Sequence, residues 1–473
     1  MEVVSLMLTD KNTAYIRHKI SLRITPEEKP VQSFNSDPLL NPCRQFSPLS
    51  VLDRLNNENS NIRLVFYYSF PARKTAGELT DKLRESISDM LSYFPMVTGR
   101  LLRTSDGDWT VKCNDAGLRM VEAKVMKGSV EKWLRNVDRK KELKLVHWEE
   151  MFYKPYFWST FYVQITEFEG GGLAIGLSCT RLLSDPICAT MMIKAWADTT
   201  LIGEITSPPL FRLLPVPNRN TNHHSSSLID RHKSYLTSSP VPKSDSNTKQ
   251  ITTITLQFNQ ETVKKLCIAM VNDVNGRGPG PTPFQALAGL FWTCISRAKG
   301  MKRGLVDMSV CLDMRKALGL DKGFFGNSKR WDWTRAFSET PWCTISGCDD
   351  DHLICVDLEN VDCYSAVFEE NVVPIRVSYY MDGPGVGAGQ ILVMPAPGGG
   401  DGPESRVVAV TLPEDEAEKV LEDSLIRQLG NIWSGAEAKI SLHLTRFFET
   451  FFDFNDEDEI YLGIMIQWHF TAV

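Results

Sequence analysis

The sequence has no apolar run of the ~18–20 residues that a membrane-spanning helix needs. Its nearest approach, Ile460–Val473, is short and is interrupted by Gln467 and His469. It has no basic excess either: 52 Lys and Arg stand against 58 Asp and Glu, a formal charge of −6. That balance argues against a nucleic-acid partner, because phosphate binding wants a basic face. Cysteine is sparse, 11 in 473 residues. The cysteines are scattered and odd in number, without the spacing of a small disulfide scaffold. Met1–Asp10 lacks the basic start and apolar core of a secretory signal. These absences together predict a reducing, cytosolic setting, with any membrane attachment peripheral or through a partner. Histidine is scarce as well. There are eight, His18, His147, His223, His224, His232, His352, His443 and His469, and none has an aspartate four residues on.

What is present is the composition of a folded protein: 42% hydrophobic and 23% charged residues, on a chain too long for one ordinary domain. Leu64–Phe70 is a β-branched and aromatic run that reads as a buried strand. Thr80–Tyr93 has apolar residues at helical spacing (Leu83, Ile87, Met90, Leu91), with Thr80 as the expected cap. Phe161–Phe168 and Leu173–Cys179 read as two strands joined by a glycine hairpin turn. Residues 206–246 are full of Pro, Ser, Asn and His and read as a crossover. Beyond it, Ile251–Phe258 reads as a strand, and Gln260–Val271 and Thr282–Ala298 as amphipathic helices. Met308–Leu312, Ile375–Tyr380, Gly389–Met394 and Arg406–Leu412 read as strands, and Pro413–Leu421 as a helix with acidic residues in its first turn. The expected organisation is an α/β (α+β) protein with a first domain at 1–205, a linker at 206–250, a second domain at 251–430 and an atypical tail at 431–473.

One stretch stands out, Gly172–Asp198. It reads as a buried strand, a sharp turn carrying Arg181 and Asp185, and a helix opened by Pro186. The landmarks around it keep a fixed order: Ser47–Asp53, Tyr93–Leu101, Asn114–Gly117, Arg181–Trp196, Phe284–Trp292 and Gly323–Ser328. In that order they resemble the plant BAHD acyltransferases, over roughly Ser47 to Asp423. Cys113–Ala123, Val130–Leu134 and Ser178–Pro186 look like the eceriferum branch of that family. The resemblance implies two similar chloramphenicol-acetyltransferase-like domains with a channel between them. It also implies transfer of an acyl group from coenzyme A to an alcohol or amine. For the eceriferum branch it implies instead an accessory role in cuticular wax formation. There the protein helps a 3-ketoacyl-CoA synthase, the condensing enzyme of the fatty-acid elongase at the endoplasmic reticulum, to extend very-long-chain acyl groups. No cofactor is then required, a coenzyme A thioester is the candidate substrate, and the chain is a monomer apart from its partner. Its expected place is the cytosolic face of the endoplasmic reticulum, or the cytoplasm.

In the family's HxxxD motif the histidine takes the acceptor's proton. Here Asp185 fills the aspartate place and Arg181 the histidine place. A guanidinium has no lone pair to offer, and its pKa lies near 12.5 or above. Presenting it neutral at pH 7 would cost about 7–8 kcal/mol, more than the ~10²–10⁴-fold that general-base catalysis returns. Arg181 cannot be the base. Its other readings are an ion pair with Asp185, or an anchor for a coenzyme A phosphate or a fatty carboxylate. Asp185 alternatively pairs with a distant arginine such as Arg315, or caps the helix at Pro186. The family's second signature, DFGWG, is replaced by Val367, Phe368, Glu369, Glu370 and Asn371. An acidic side chain, Glu369, where the family has glycine implies a different backbone, with Glu370 beside it. No metal site is expected, since Cys343, Cys348, His352 and Cys355 do not have paired zinc spacing. Gly383–Gly389 reads as a flexible turn, Cys179 as a buried strand cysteine, and His223 and His224 as solvated.

Overall fold

The computed structural model of the protein describes residues 6–8, 15–16, 46–48, 60–70, 76–103, 109–126, 128–149, 158–208, 250–273, 280–301, 305–306, 308–311, 353–382, 389–398 and 402–432. In chain order the strands begin with β1 (Leu6–Leu8), β2 (Tyr15–Ile16), β3 (Phe46–Pro48), β4 (Asn61–Tyr68) and β5 (Arg100–Arg103). There follow β6 (Trp109–Lys112), β7 (Leu118–Val125), β8 (Trp158–Ser159), β9 (Phe161–Phe168) and β10 (Leu173–Thr180). Next come β11 (Ile251–Phe258), β12 (Met308–Cys311), β13 (Leu353–Asp357), β14 (Arg376–Asp382), β15 (Gln390–Pro395), β16 (Arg406–Pro413) and β17 (Asn431–Ile432). The longer helices are α1 (Ala76–Leu91), α2 (Pro186–Ile202), α3 (Gln260–Asp273), α4 (Pro283–Ala298) and α5 (Glu414–Glu422). Two compact units emerge, one of Met1–Val216 with Asp362–Gly383, the other of Pro217–Val361 with Pro384–Val473.

The first unit is built on a sheet ordered β1-β7-β9-β10-β4-β14, with β2 also on β7. All its pairings are antiparallel except β7 with β9. β10 is buried along its whole length between β4 and β9, as its unbroken apolar run requires. One face of the sheet carries Ile62, Leu64, Phe66, Leu177, Val163 and Phe161. The helices α1 and α2 pack on one another over it, with a small apolar cavity among Ile87, Phe161, Leu177, Met192 and Trp196. Trp196 is buried in α2, and its indole N–H donates to Leu83 O and Ser86 Oγ of α1, both at 3.1 Å. A smaller sheet, β3-β6-β5-β8, completes this unit among the described residues.

The second unit holds the sheet β12-β13-β15-β16-β11-β17, parallel at β12–β13 and β13–β15 and antiparallel elsewhere. Its core joins Phe258 and Leu256 to Phe284, Leu287, Phe291 and Ile295 of α4 and to Val408 and Val410 of β16. α4 starts as the sequence predicts: Thr282 and Gln285 form a reciprocal capping box ahead of Pro283.

Two expectations change. Thr80 is not a cap, because α1 begins at Ala76. The Thr80 hydroxyl instead donates to Glu167 Oε1 at 2.7 Å, tying the helix to β9. The contiguous boundary 251–430 also does not describe the chain's organisation, because Asp362–Gly383 belongs to the first unit. There β14 pairs with β4 from Arg376–Tyr67 to Asp382–Asn61. Hydrogen bonding to a distant strand, which local pattern does not reveal, decides that placement. The crossover at 209–249, the stretch 312–352 and the tail at 433–473 lie outside the described residues.

Candidate functional site

The strand–turn–helix frame around Arg181 forms as its sequence dictates. β10 ends at Thr180, whose carbonyl accepts from Leu183 N at 3.3 Å and Ser184 N at 3.2 Å, closing a tight turn. The Arg181 N–H donates to Ser60 O at 3.0 Å, which fastens the turn to the residue preceding β4. Arg181 is half-buried and Asp185 exposed. The Asp185 backbone is extended (φ −116°, ψ 173°), and its carboxylate accepts from Cys188 N–H at 2.8 Å. With Pro186 following, this is a complete N-cap. α2 ends at Gly203, in the left-handed region at φ 80°, where glycine carries no Cβ penalty.

Of the eight histidines, only His147 is among the described residues. Its ring meets Tyr162 edge-on at 5.5 Å, and its Nε2 lies 3.6 Å from Glu149 Oε1. Burial, and then the Arg119 charge, pushes its pKa below the ordinary value, so it is neutral at pH 7. Cys179 is fully buried, which drives its thiol pKa far up and leaves it without nucleophilic character. Arg315, Cys343, Cys348, His352, His223, His224 and residues 383–388 lie outside the described residues.

The stretch from Val367 to Asn371 folds as a tight turn. Val372 N–H donates to Glu369 O at 3.0 Å, and these two residues form an isolated bridge. Only Asn371 takes a left-handed conformation (φ 63°), which asparagine tolerates better than most side chains. Glu369 and Glu370 need no such freedom. Phe368 is buried and meets Tyr68 at 5.6 Å and Trp196 at 5.0 Å, both edge-to-face. Thr190 of α2 and Tyr379 of β14 share a buried hydroxyl pair at 2.8 Å. The turn and the helix carrying Asp185 are thus parts of one packed assembly.

On the opposite face of the same sheet lies a group of residues that the motif reading missed. Glu142, 1% exposed, accepts from Tyr67 Oη at 2.7 Å, from Ser378 Oγ at 2.7 Å and, in a short bond, from Tyr380 Oη. The Arg376 guanidinium stands 3.8 Å away. Burial, reinforced by Glu142, holds the Tyr67 and Tyr380 phenols well above their usual range, so they remain donors. Gly176 of β10 faces the same side. A Cβ there would strike the Leu145 carbonyl, so glycine is what lets the segment carrying Glu142 lie on the sheet. The polar alternation Arg376, Ser378, Tyr380, Asp382 is the only sequence signal that could have marked this group.

The transferase family description matches residues 40–330, more than half of the chain. The chain belongs to the transferase family of the BAHD acyltransferases. Protein ECERIFERUM 26-like from Arabidopsis thaliana is 27% identical over 388 residues, covering 76% of this chain and 86% of that protein. Rosmarinate synthase from Plectranthus scutellarioides is 27% identical over 282 residues, 59% of this chain and 64% of its own. Among solved structures, TRI101 of F. graminearum with ethyl coenzyme A aligns at a TM-score of 0.60 and 12% identity. That alignment covers 81% of this chain and 98% of TRI101. At that identity the likeness speaks for the acyltransferase fold alone.

Proposed function

We propose that this protein is an acyltransferase-fold accessory factor that promotes very-long-chain fatty acid elongation for cuticular wax. It would act through a 3-ketoacyl-CoA synthase, at the cytosolic face of the endoplasmic reticulum, and not by general-base catalysis of its own. The observation that carries this reading is Arg181 at the place of the base, in a strand–turn–helix frame otherwise intact, with Asp185 serving as a helix cap. A cap keeps the frame folded and needs no catalytic partner. The likeness to ECERIFERUM 26-like supports the same direction. The reading requires no cofactor or metal.

The second reading, an active coenzyme A-dependent acyltransferase with an alcohol or amine acceptor, draws on the likeness to rosmarinate synthase. One experiment separates the two. The protein is expressed in a heterologous host with and without a 3-ketoacyl-CoA synthase, and acyl chain lengths are profiled. Longer chains only on co-expression, unchanged by Arg181→Ala, support the accessory role. Ester or amide products from the purified protein and an acyl-CoA would sink it.

A further inference from the structure

The strand β14 reaches its sheet from more than three hundred residues along the chain from β4, and hydrophobic pattern alone does not say where along β4 it should stop. Its alternate residues Val377, Tyr379 and Met381 face the apolar side, as do Ile62, Leu64 and Phe66 of β4. A slip of one residue would turn β14 over and is rejected by burial. A slip of two residues keeps apolar on apolar, and burial does not reject it. On that face two hydroxyls read the position: Tyr379, paired with Thr190, and Tyr68 of β4, which donates to Ala366 O at 2.9 Å ahead of β14.

The other face reads it far more strictly. The helical turn Arg139–Glu142 meets every second residue of β14. Glu142 accepts from Ser378 and Tyr380 and stands beside Arg376. Arg139 donates to Asp382 at 2.8 Å, with its guanidinium 4.9 Å above the Tyr380 ring. Glu142 also accepts from Tyr67 of β4, so one carboxylate senses both strands at once. In neither slipped register can all these groups keep their places on the carboxylate: one slip brings Asp382 to where Tyr380 stands, and the other brings Arg376 to where Ser378 stands and carries the Tyr380 hydroxyl away from Glu142. Unpartnered buried polar groups make such a state costly.

We infer that the Arg139–Glu142 turn is a register lock: it specifies where the inserted strand β14 pairs with β4, and so where the Phe368 turn meets α2. This role is distinct from contributing net stability, because buried polar networks are often no more stabilising than apolar packing of the same shape.

The test is disulfide trapping in the full-length Cys179→Ala protein, since Cys179 lies opposite Ile62 on β10. Directly opposed antiparallel residues suit a disulfide. The native register is reported by Ile62→Cys with Met381→Cys, the slipped register by Leu64→Cys with Met381→Cys. Each pair is oxidised with glutathione and quantified by peptide mass spectrometry. The lock is then replaced by apolar side chains of similar shape: Glu142→Leu, Tyr67→Phe, Arg376→Met, Ser378→Ala and Tyr380→Phe together. The replaced protein is expected to melt cooperatively, with the native-to-slipped ratio reduced by about ten-fold or more, within the usual range of coupling between contacting residues. Glu142→Gln, which keeps one acceptor, should reduce the ratio less. An unchanged ratio in both proteins overturns the proposal. A replaced protein that does not fold also overturns it, since the network would then be needed for stability and not for register.

Discussion

The two faces of the first unit's sheet are held in different ways. Under α1 and α2 the contact is burial: Leu64, Phe66, Leu177 and Trp196 are almost wholly removed from water, and such packing is strong but non-directional. Under the segment that carries Glu142 it is directed. Tyr67, Ser378, Tyr380 and Arg376 converge on one carboxylate, beside an apolar patch of Val65, Phe168, Ala174, Trp133 and Leu145. The first face tolerates changes of shape better than changes of volume, while the second depends on every partner being present. The turn carrying Arg181 and Asp185 follows the end of β10 and leads into α2, on the side held by burial.

Four measurements break or sharpen this contrast. Trp196→Ala should have the largest effect, about 3–5 kcal/mol of lost stability from the cavity it leaves, read by denaturant unfolding. Glu142→Leu alone should come next, at about 3 kcal/mol, because it removes the buried carboxylate that three hydroxyls donate to and that stands beside Arg376. If Glu142→Leu instead matches wild type, the directed face is held by its apolar patch. Asp185→Ala removes only a cap and should cost about 1 kcal/mol, whereas Asp185→Asn should cost less. A collapse of the fold on Asp185→Ala would show that it does more than cap α2.

The smallest effect concerns pH. His147 is neutral in the fold because burial and Arg119 push its pKa down, while in the unfolded chain it titrates near the ordinary value of about 6.5. As pH falls below that value the unfolded state binds the proton first, so stability declines towards the folded-state pKa. His147→Gln should flatten that part of the stability–pH curve and leave it unchanged above pH 7. A curve with the same slope as wild type would exclude His147 as a contributor.

Much of this was legible without coordinates. Continuous apolar runs foretold β4 and β10, and helical spacing with Thr282 and Pro283 foretold α4. Asp185 before Pro186 carried one of its alternatives, the cap, in plain view. Thr80 misled because a cap residue type also occurs inside helices, where its hydroxyl serves a tertiary bond. Glutamates at 369 and 370 suggested a disturbed backbone. The structure shows that only the fifth position needs a left-handed residue, and Asn371 supplies it. β13 was not expected, since Leu353–Asp357 is a five-residue strand at the end of a stretch with little periodicity.

By itself the sequence determined the local elements and that residue 181 is a guanidinium, which accepts no proton, because strand, helix and proton affinity are properties of residue type and spacing. Only tertiary structure decided that Asp362–Gly383 completes the first unit's sheet, that Phe368 meets Trp196, and that Glu142 joins β14 to β4. Phe368 and Trp196 stand 172 positions apart, Glu142 and Tyr380 238, and β14 pairs with a strand more than 300 residues before it. At such separation the partner is chosen by burial and by satisfying buried polar groups, and no local pattern encodes that choice.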